Sequence, residues 1–198
     1  VVFNIVHAGP SSFGPADDRG FHDALKPWQD RVLLSASLVR QQWEGFEQVQ
    51  LRRPWDQSFP VGLSAFSLDA FGMVQSVPGA ERLAQMLAPF TRPHPRPMAH
   101  LAAAVSTRSG DDGINFLGPS GQLPVIPAWA VGSQAENTWR DKVVVIGSTA
   151  PSLGDQLETP FGQQSGSEVL LSAIAGLQND RGFRGLDRSV LLAVLAGW

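Results

Sequence analysis

Apolar residues fall along this chain in short blocks separated by Gly-, Pro- and Asp-rich breaks, and their spacing predicts strands alternating with helices. Val1 to Val6 reads as a strand, Ala16 to Leu25 as a helix, and Arg31 to Leu38 as a second buried strand. Asp17 and Asp18 favour the start of that helix through caps and dipole. The three elements make one βαβ unit. Arg40 to Pro60 reads as an irregular loop packed on the sheet, because Trp43, Phe46, Trp55 and Phe59 are too aromatic for a solvated linker. Ser64 to Val77 predicts a hairpin turning at Asp69 to Gly72. Leu83, Met86 and Leu87 give Glu81 to Leu87 a helical spacing, which Pro89, Pro93, Pro95 and Pro97 bring to an end. A short helix at Met98 to Ser106, a strand at Gly113 to Leu117, a Gly-Pro turn at Gly118 to Gly121 and a helix at Glu168 to Leu177 follow. There is no internal repeat and no low-complexity run.

The most informative block is Lys142 to Gly147. Val143, Val144, Val145 and Ile146 form an unbroken apolar run, the pattern of a strand buried on both faces of a parallel sheet. Such a strand needs helices on both sides. The expected fold is therefore mixed α/β, with a largely parallel central sheet, helices on both faces, a hairpin and the aromatic-rich insertion. Past the strand, polarity changes to Ser148, Thr149, Asp155 and Thr159, at the carboxyl end where open α/β sheets place ligands. Pro151 and Pro160 prevent a helix from following at once.

Composition bounds less. The 198 residues suit a single domain, and 43% hydrophobic content supplies a core. A formal charge of -3 offers no excess of cations for a phosphate backbone, so nucleic acid is a poor partner. Lysine occurs only as Lys26 and Lys142, leaving the cationic charge to arginine. Without cysteine there is no disulfide and no thiolate metal site.

Catalytic chemistry finds little support. The loop from Gly147 to Gly154 lacks both glycine-rich phosphate signatures, and Pro151 removes an amide a cradle would use. Ser148 sits in I-G-S-T-A instead of G-x-S-x-G, and His7, His22, His94 and His100 all precede it. Asp17 with Asp18, and Asp111 with Asp112, are neighbours that suit a helix cap and a turn better than an ion. His94 and His100 flank prolines without a carboxylate nearby, which predicts solvent exposure. No cofactor or metal is expected. If the first strand lies beside Lys142 to Gly147, Asn4 and His7 share a crevice with Ser148 and Thr149. A ligand pocket lined by Asn4, Ser148, Thr149 and Asp155 is the working expectation. The competing reading has Asp155 and Thr159 tying their own loop together.

Lys142 to Gly147 read K-V-V-V-I-G, close to a K-I-V-L-I-G-like strand, Thr149, Ala150 and Asp155 give T-A-x-x-x-x-D, and Thr159, Pro160, Phe161 and Gly162 give T-P-F-G. In this the chain resembles the CHASE domain of the second type, a bacterial extracellular sensory module. The segments Val1 to Asp18, Ile114 to Pro127 and Ser165 to Leu177 fit the same family in the same order, so the likeness spans nearly the whole chain. Leu170 and Leu171 stand where the family often has His-Ala, and any role of that imidazole is absent here. The resemblance implies an extracytoplasmic sensor in the cell membrane, facing the periplasm or exterior, with a cyclase, histidine kinase, Ser/Thr kinase or phosphatase as output. Its partners would be a small-molecule or protein stimulus, the membrane through flanking helices, and a second copy in a homodimer.

The chain opens on an apolar run without methionine, so an upstream part of the domain is expected. Residues 189–198, SVLLAVLAGW, read as the start of a truncated transmembrane helix, half of the ~20 residues a span requires. Arg181, Arg184, Asp187 and Arg188 form a charged step before it. The sensory domain would then be residues 1–188. A short amphipathic core helix is the plainer reading of the same residues. Two further classes of function remain: a structural or dimerisation domain needing no ligand, and a small α/β enzyme whose catalytic groups these residues do not assemble.

Overall fold

A computed structural model describes residues 1–43, 46–90, 98–106, 113–153, 155–179 and 181. Its centre is a parallel ladder. Strand β1 (Val2–Asn4) pairs in parallel with β7 (Val145–Gly147), setting Asn4 opposite Gly147. On its other edge, Phe3 N–H donates to Leu33 O at 2.9 Å and Leu33 N–H to Val1 O at 2.9 Å. One residue later the chain enters β2 (Leu34–Trp43), whose first part pairs in parallel with β4 (Val61–Leu63). A parallel bridge from Leu63 to His100 continues the ladder. The expected βαβ unit is present, because α1 (Pro15–Leu25) joins β1 to the strand entering at Leu33.

Period-two alternation along β1 decides what covers each face. Val2 belongs to the largest apolar cluster, with Leu101 and Ala102 of α3 (Leu101–Ser106) and Val169, Leu170, Ala173, Ile174 and Leu177 of α4 (Gly166–Gln178). Phe3, pointing the other way, packs with Val32, Leu34 and Phe59 against Phe21 and Leu25 of α1. A third cluster seats Leu83 and Leu87 of α2 (Ala80–Leu87) on Ala36 and Leu63. Helices therefore cover both faces, and the expected mixed α/β class holds.

Some elements differ from expectation. Residues 142–147 do not form a strand buried on both faces: β7 pairs only with β1 among the described strands, Val143 to Val145 are half-buried, and Ile146 is 40% exposed. An apolar run marks a strand that something covers, and here α4 covers one face only. The supposed loop at Arg40 to Pro60 is mostly an antiparallel hairpin, β2 against β3 (Phe46–Arg52), in register from Ser37 opposite Arg52 to Trp43 opposite Phe46. Arg40, Gln41, Gln48 and Gln50 interrupt the apolar alternation because much of this arm is solvated, so backbone pairing rather than burial holds it. Beyond it Phe59 is buried, whereas Trp55 is 41% exposed. The side chains of Trp43 and Phe46 lie outside the described residues.

The hairpin at Ser64 to Val77 forms as β5 (Ser67–Leu68) and β6 (Val74–Ser76). Asp69 Oδ1 accepts the amides of Phe71 and Met73 at 2.8 and 3.0 Å, and Gly72 takes φ 81°, which a side chain would strain. The strand expected at Gly113 to Leu117 reduces to one antiparallel bridge between Gly113 and Ser76. Strands β8 (Gln156–Thr159) and β9 (Gly162–Ser165) form a second tight hairpin leading into α4. His94, Pro93, Pro95, Pro97, Asp111, Asp112, Arg184, Asp187, Arg188 and residues 189–198 lie outside the described residues. Among the described residues, no helix is long and apolar enough to cross a membrane.

Candidate functional site

The parallel pairing of β1 with β7 brings the two strand ends together, and the polar residues beyond them meet over the start of α4. Asn4 Nδ2 donates to Asp155 Oδ2 at 3.1 Å and lies 3.2 Å from Ser167 Oγ, joining residues 151 and 163 positions apart. Asp155 also holds α4 through its backbone, whose carbonyl accepts Gly166 N–H at 2.9 Å. Two glycines make room for this contact. A Cβ on Gly147 would overlap Ser167 Oγ, and one on Gly166 would overlap the Asp155 carboxylate.

Burial raises the pKa of Asp155 above the ordinary carboxylate value, and the Asn4 amide offsets this only in part. The site is thus a half-buried carboxylate with one amide donor, at the carboxyl ends of parallel strands. It can accept a hydrogen bond or a positive charge from an incoming group. Of the four expected pocket residues, Asn4 and Asp155 touch. Ser148 and Thr149 follow β7 at the rim, where Ala150 N–H donates to Ser148 Oγ at 3.3 Å and Thr149 is exposed. Ser167 was not expected.

Thr159 ties its own loop, as the competing reading held. Its Oγ1 donates to Gly162 O at 2.7 Å and accepts Phe161 N–H at 3.1 Å, while Gly162 turns the chain at φ 88°. T-P-F-G is therefore a locked hairpin tip, whereas Asp155 bonds across the fold. Lys142 is exposed ahead of β7, and Ala150 is exposed beyond it.

Beneath the crevice, Ser165 and Glu168 form a reciprocal capping box at the start of α4. Glu168 is buried, which alone would raise its pKa. Gly121 N–H at 2.8 Å, the Ser120 hydroxyl at 2.9 Å and Ser165 N–H at 3.2 Å more than offset that and hold it below the usual carboxylate range.

The histidines lie elsewhere. His100, expected at the surface, has no exposed area, and burial lowers its pKa to about 3. The reason is its place at the end of the parallel ladder, where its ring packs on Phe66 with centroids 4.8 Å apart and Nδ1 accepts Ala102 N–H at 3.1 Å. Nor does His7 share the crevice. Its ring packs between Phe3 and Phe21, on the α1 side of the sheet. His22 Nδ1 lies 2.6 Å from Asp56 Oδ2, joining α1 to the loop after β3. Among the described residues no group of three His, Cys, Asp or Glu side chains could hold a metal.

A family model described as the CHASE2 domain matches residues 1–198. No curated protein and no solved structure matches the chain.

Proposed function

Because this chain belongs to the CHASE2 domain family, whose members are extracellular sensory domains of signalling proteins, we propose that it is the extracytoplasmic sensor of a membrane-bound receptor. The family match over the whole chain carries this reading. In it, residues 1–188 form the sensing domain on the periplasmic or outer side, and residues 189–198 begin a membrane helix. The relayed output is a cyclase, a histidine kinase, a Ser/Thr kinase or a phosphatase.

Signalling needs two states that the stimulus binds unequally. The Asn4, Asp155 and Ser167 contact suits such a role, since it joins β1, the loop after β7 and α4, and because among the described residues the Asp155 side chain takes a donor only from Asn4. A ligand offering Asp155 a better donor would draw it from Asn4 and shift α4. Ser148 and Thr149 supply hydroxyls at the same rim.

The test is the response of the natural full-length protein, in membranes, to candidate stimuli, with Asp155→Asn beside the wild type. The expected result is an output that follows the stimulus in the wild type and is fixed at one level in the variant, at equal abundance. A wild-type protein with no signalling output overturns the receptor reading. A variant that responds normally removes only the crevice.

A second reading, a dimerisation domain working without ligand, is favoured by the edge of β7 that no other described strand pairs with and by its exposed Ile146. A dimer that survives in the absence of any stimulus, and dissociates on Ile146→Asp, would support it.

A further inference from the structure

A cleft of about 800 Å³ opens on the chain away from the Asn4 crevice; none of Asn4, Ser148, Thr149 or Asp155 borders it. One wall is the β5–β6 hairpin, which clamps the following segment through the Ser76 to Gly113 bridge and a 3.1 Å bond from Ile114 N–H to Gln75 O. The opposite wall is the T-P-F-G tip. Val74 and Ile114, both core residues, also line the cleft.

Aromatic surface dominates the mouth. Phe116 and Phe161 meet edge to face with centroids 6.5 Å apart. Phe161 is 51% exposed, and the Thr159 lock holds it outward in a fixed turn.

The polar lining residues are Ser67, Asp69, Gln75, Ser76, Arg82 and Asn115. Arg82, in the first turn of α2, is exposed and has no ion pair among the described residues. Ser67 is only 7% exposed, and its hydroxyl has no hydrogen-bond partner among the described residues. Asp69, the other charged residue of the lining, spends Oδ1 on the turn amides of Phe71 and Met73.

We propose that this cleft binds a small aromatic carboxylate, its ring against Phe116 and Phe161 and its carboxylate on the Arg82 guanidinium. The volume falls within the range of small-molecule sites, and a mostly apolar lining with a few polar groups is their usual make-up. A planar fork of N–H donors suits a carboxylate. A nucleotide is disfavoured because several phosphate charges would face one arginine and the Asp69 carboxylate. The proposal goes beyond the sensor reading, since the binding chemistry stands whether or not the chain signals.

The test is calorimetric titration of this chain with 3-phenylpropionate and with its uncharged counterpart 3-phenylpropan-1-ol. Saturable binding of the acid is expected, about tenfold or more tighter than the alcohol, as one charge-assisted contact gives. Arg82→Gln should bring the acid to the level of the alcohol and leave the alcohol unchanged. Phe161→Ala should weaken both. Both residues are exposed, so the melting temperature without ligand serves as the folding control, with Phe161→Leu in reserve if the alanine variant melts early. Absence of saturable binding of the acid, equal binding of acid and alcohol, or acid binding unaffected by Arg82→Gln overturns the proposal. None of these outcomes touches the output measurement that judges the sensor reading, so the two fail separately.

Discussion

A histidine sealed in the core, as His100 is, must stay neutral while the chain is folded, and this makes one residue a source of acid sensitivity. Its Nδ1 accepts from Ala102, so the proton sits on Nε2, which has no partner among the described residues. Protonation would require breaking the Ala102 bond and placing a charge beside Phe66. The unfolded chain protonates near pH 6.5 and the folded chain only near 3. Because the folded value is depressed, the stabilising effect is complete above pH 6.5 and is lost as pH falls through that window. The loss is about 1.4 kcal/mol per pH unit where unfolded His100 is protonated and folded His100 is not. His100→Leu should cost about 1 kcal/mol at pH 7 through the lost cap. It should then flatten the fall in stability between pH 6 and 4 by about one proton. Urea denaturation across that range measures both, and equal slopes for variant and wild type would contradict the assignment. His7, also lowered by burial, contributes in the same direction and remains in the variant.

At the scale of elements, the start of α4 is held by one carboxylate that serves several donors. Glu168 closes the capping box with Ser165 and takes Ser120 and Gly121 from the Gly-Pro turn, so the helix and a loop 47 residues earlier share an anchor. Its depressed pKa means that the stabilisation is present above the ordinary carboxylate value and lost as pH falls through the folded one. Glu168→Gln keeps the shape and removes the charge. We expect a loss of about 1.5–3 kcal/mol at pH 7, shrinking as pH falls below the ordinary carboxylate value, read from melting curves across that range. A penalty independent of pH would mean that packing, not charge, holds the junction. Ser165-x-x-Glu168 is visible in the sequence as a capping signature, yet a reading from apolar periodicity alone starts the helix at Glu168, two residues after its first turn begins. The turn at Asp69 to Gly72 finds the β5–β6 hairpin, whereas the same periodicity finds α1 and α2, because each has one apolar face. It misses the β2–β3 arm, where solvated glutamines break the alternation and only the backbone ladder reveals the pairing. It misjudges the burial of His100 too, since the nearby prolines suggest exposure and nothing local records that Leu63 will bridge to it.

For the whole molecule, the crevice is a closure. Asn4 joins the beginning of the chain to Asp155 and Ser167, so the contact forms only after β7 has docked beside β1. Asn4 and Asp155 were legible as polar residues beyond strand ends. Ser167 was not, because a serine early in a helix carries no pattern until the strand order is known. The raised pKa of Asp155 has a thermodynamic sign opposite to that of Glu168. The folded state keeps the proton to a higher pH than the unfolded chain does. Stability therefore falls as pH rises from the ordinary carboxylate value through the folded one, and at neutral pH the ionised group is a cost. Asp155→Asn should leave stability at pH 7 unchanged or improved, as expected of a carboxylate kept for binding. Asn4→Ala should cost about 1–3 kcal/mol, because it strips the carboxylate of its amide donor. If the two residues act as one unit, that cost shrinks by about 1 kcal/mol or more when Asp155 is already asparagine, since the neutral amide is cheaper to leave unpaired. Denaturation of the wild type, both single variants and the double variant at pH 7 closes the cycle. Equal costs of Asn4→Ala in the two backgrounds would show that the charge of Asp155 is held by something other than Asn4, and the crevice would lose its case as the point where a ligand could unlatch β1 from α4.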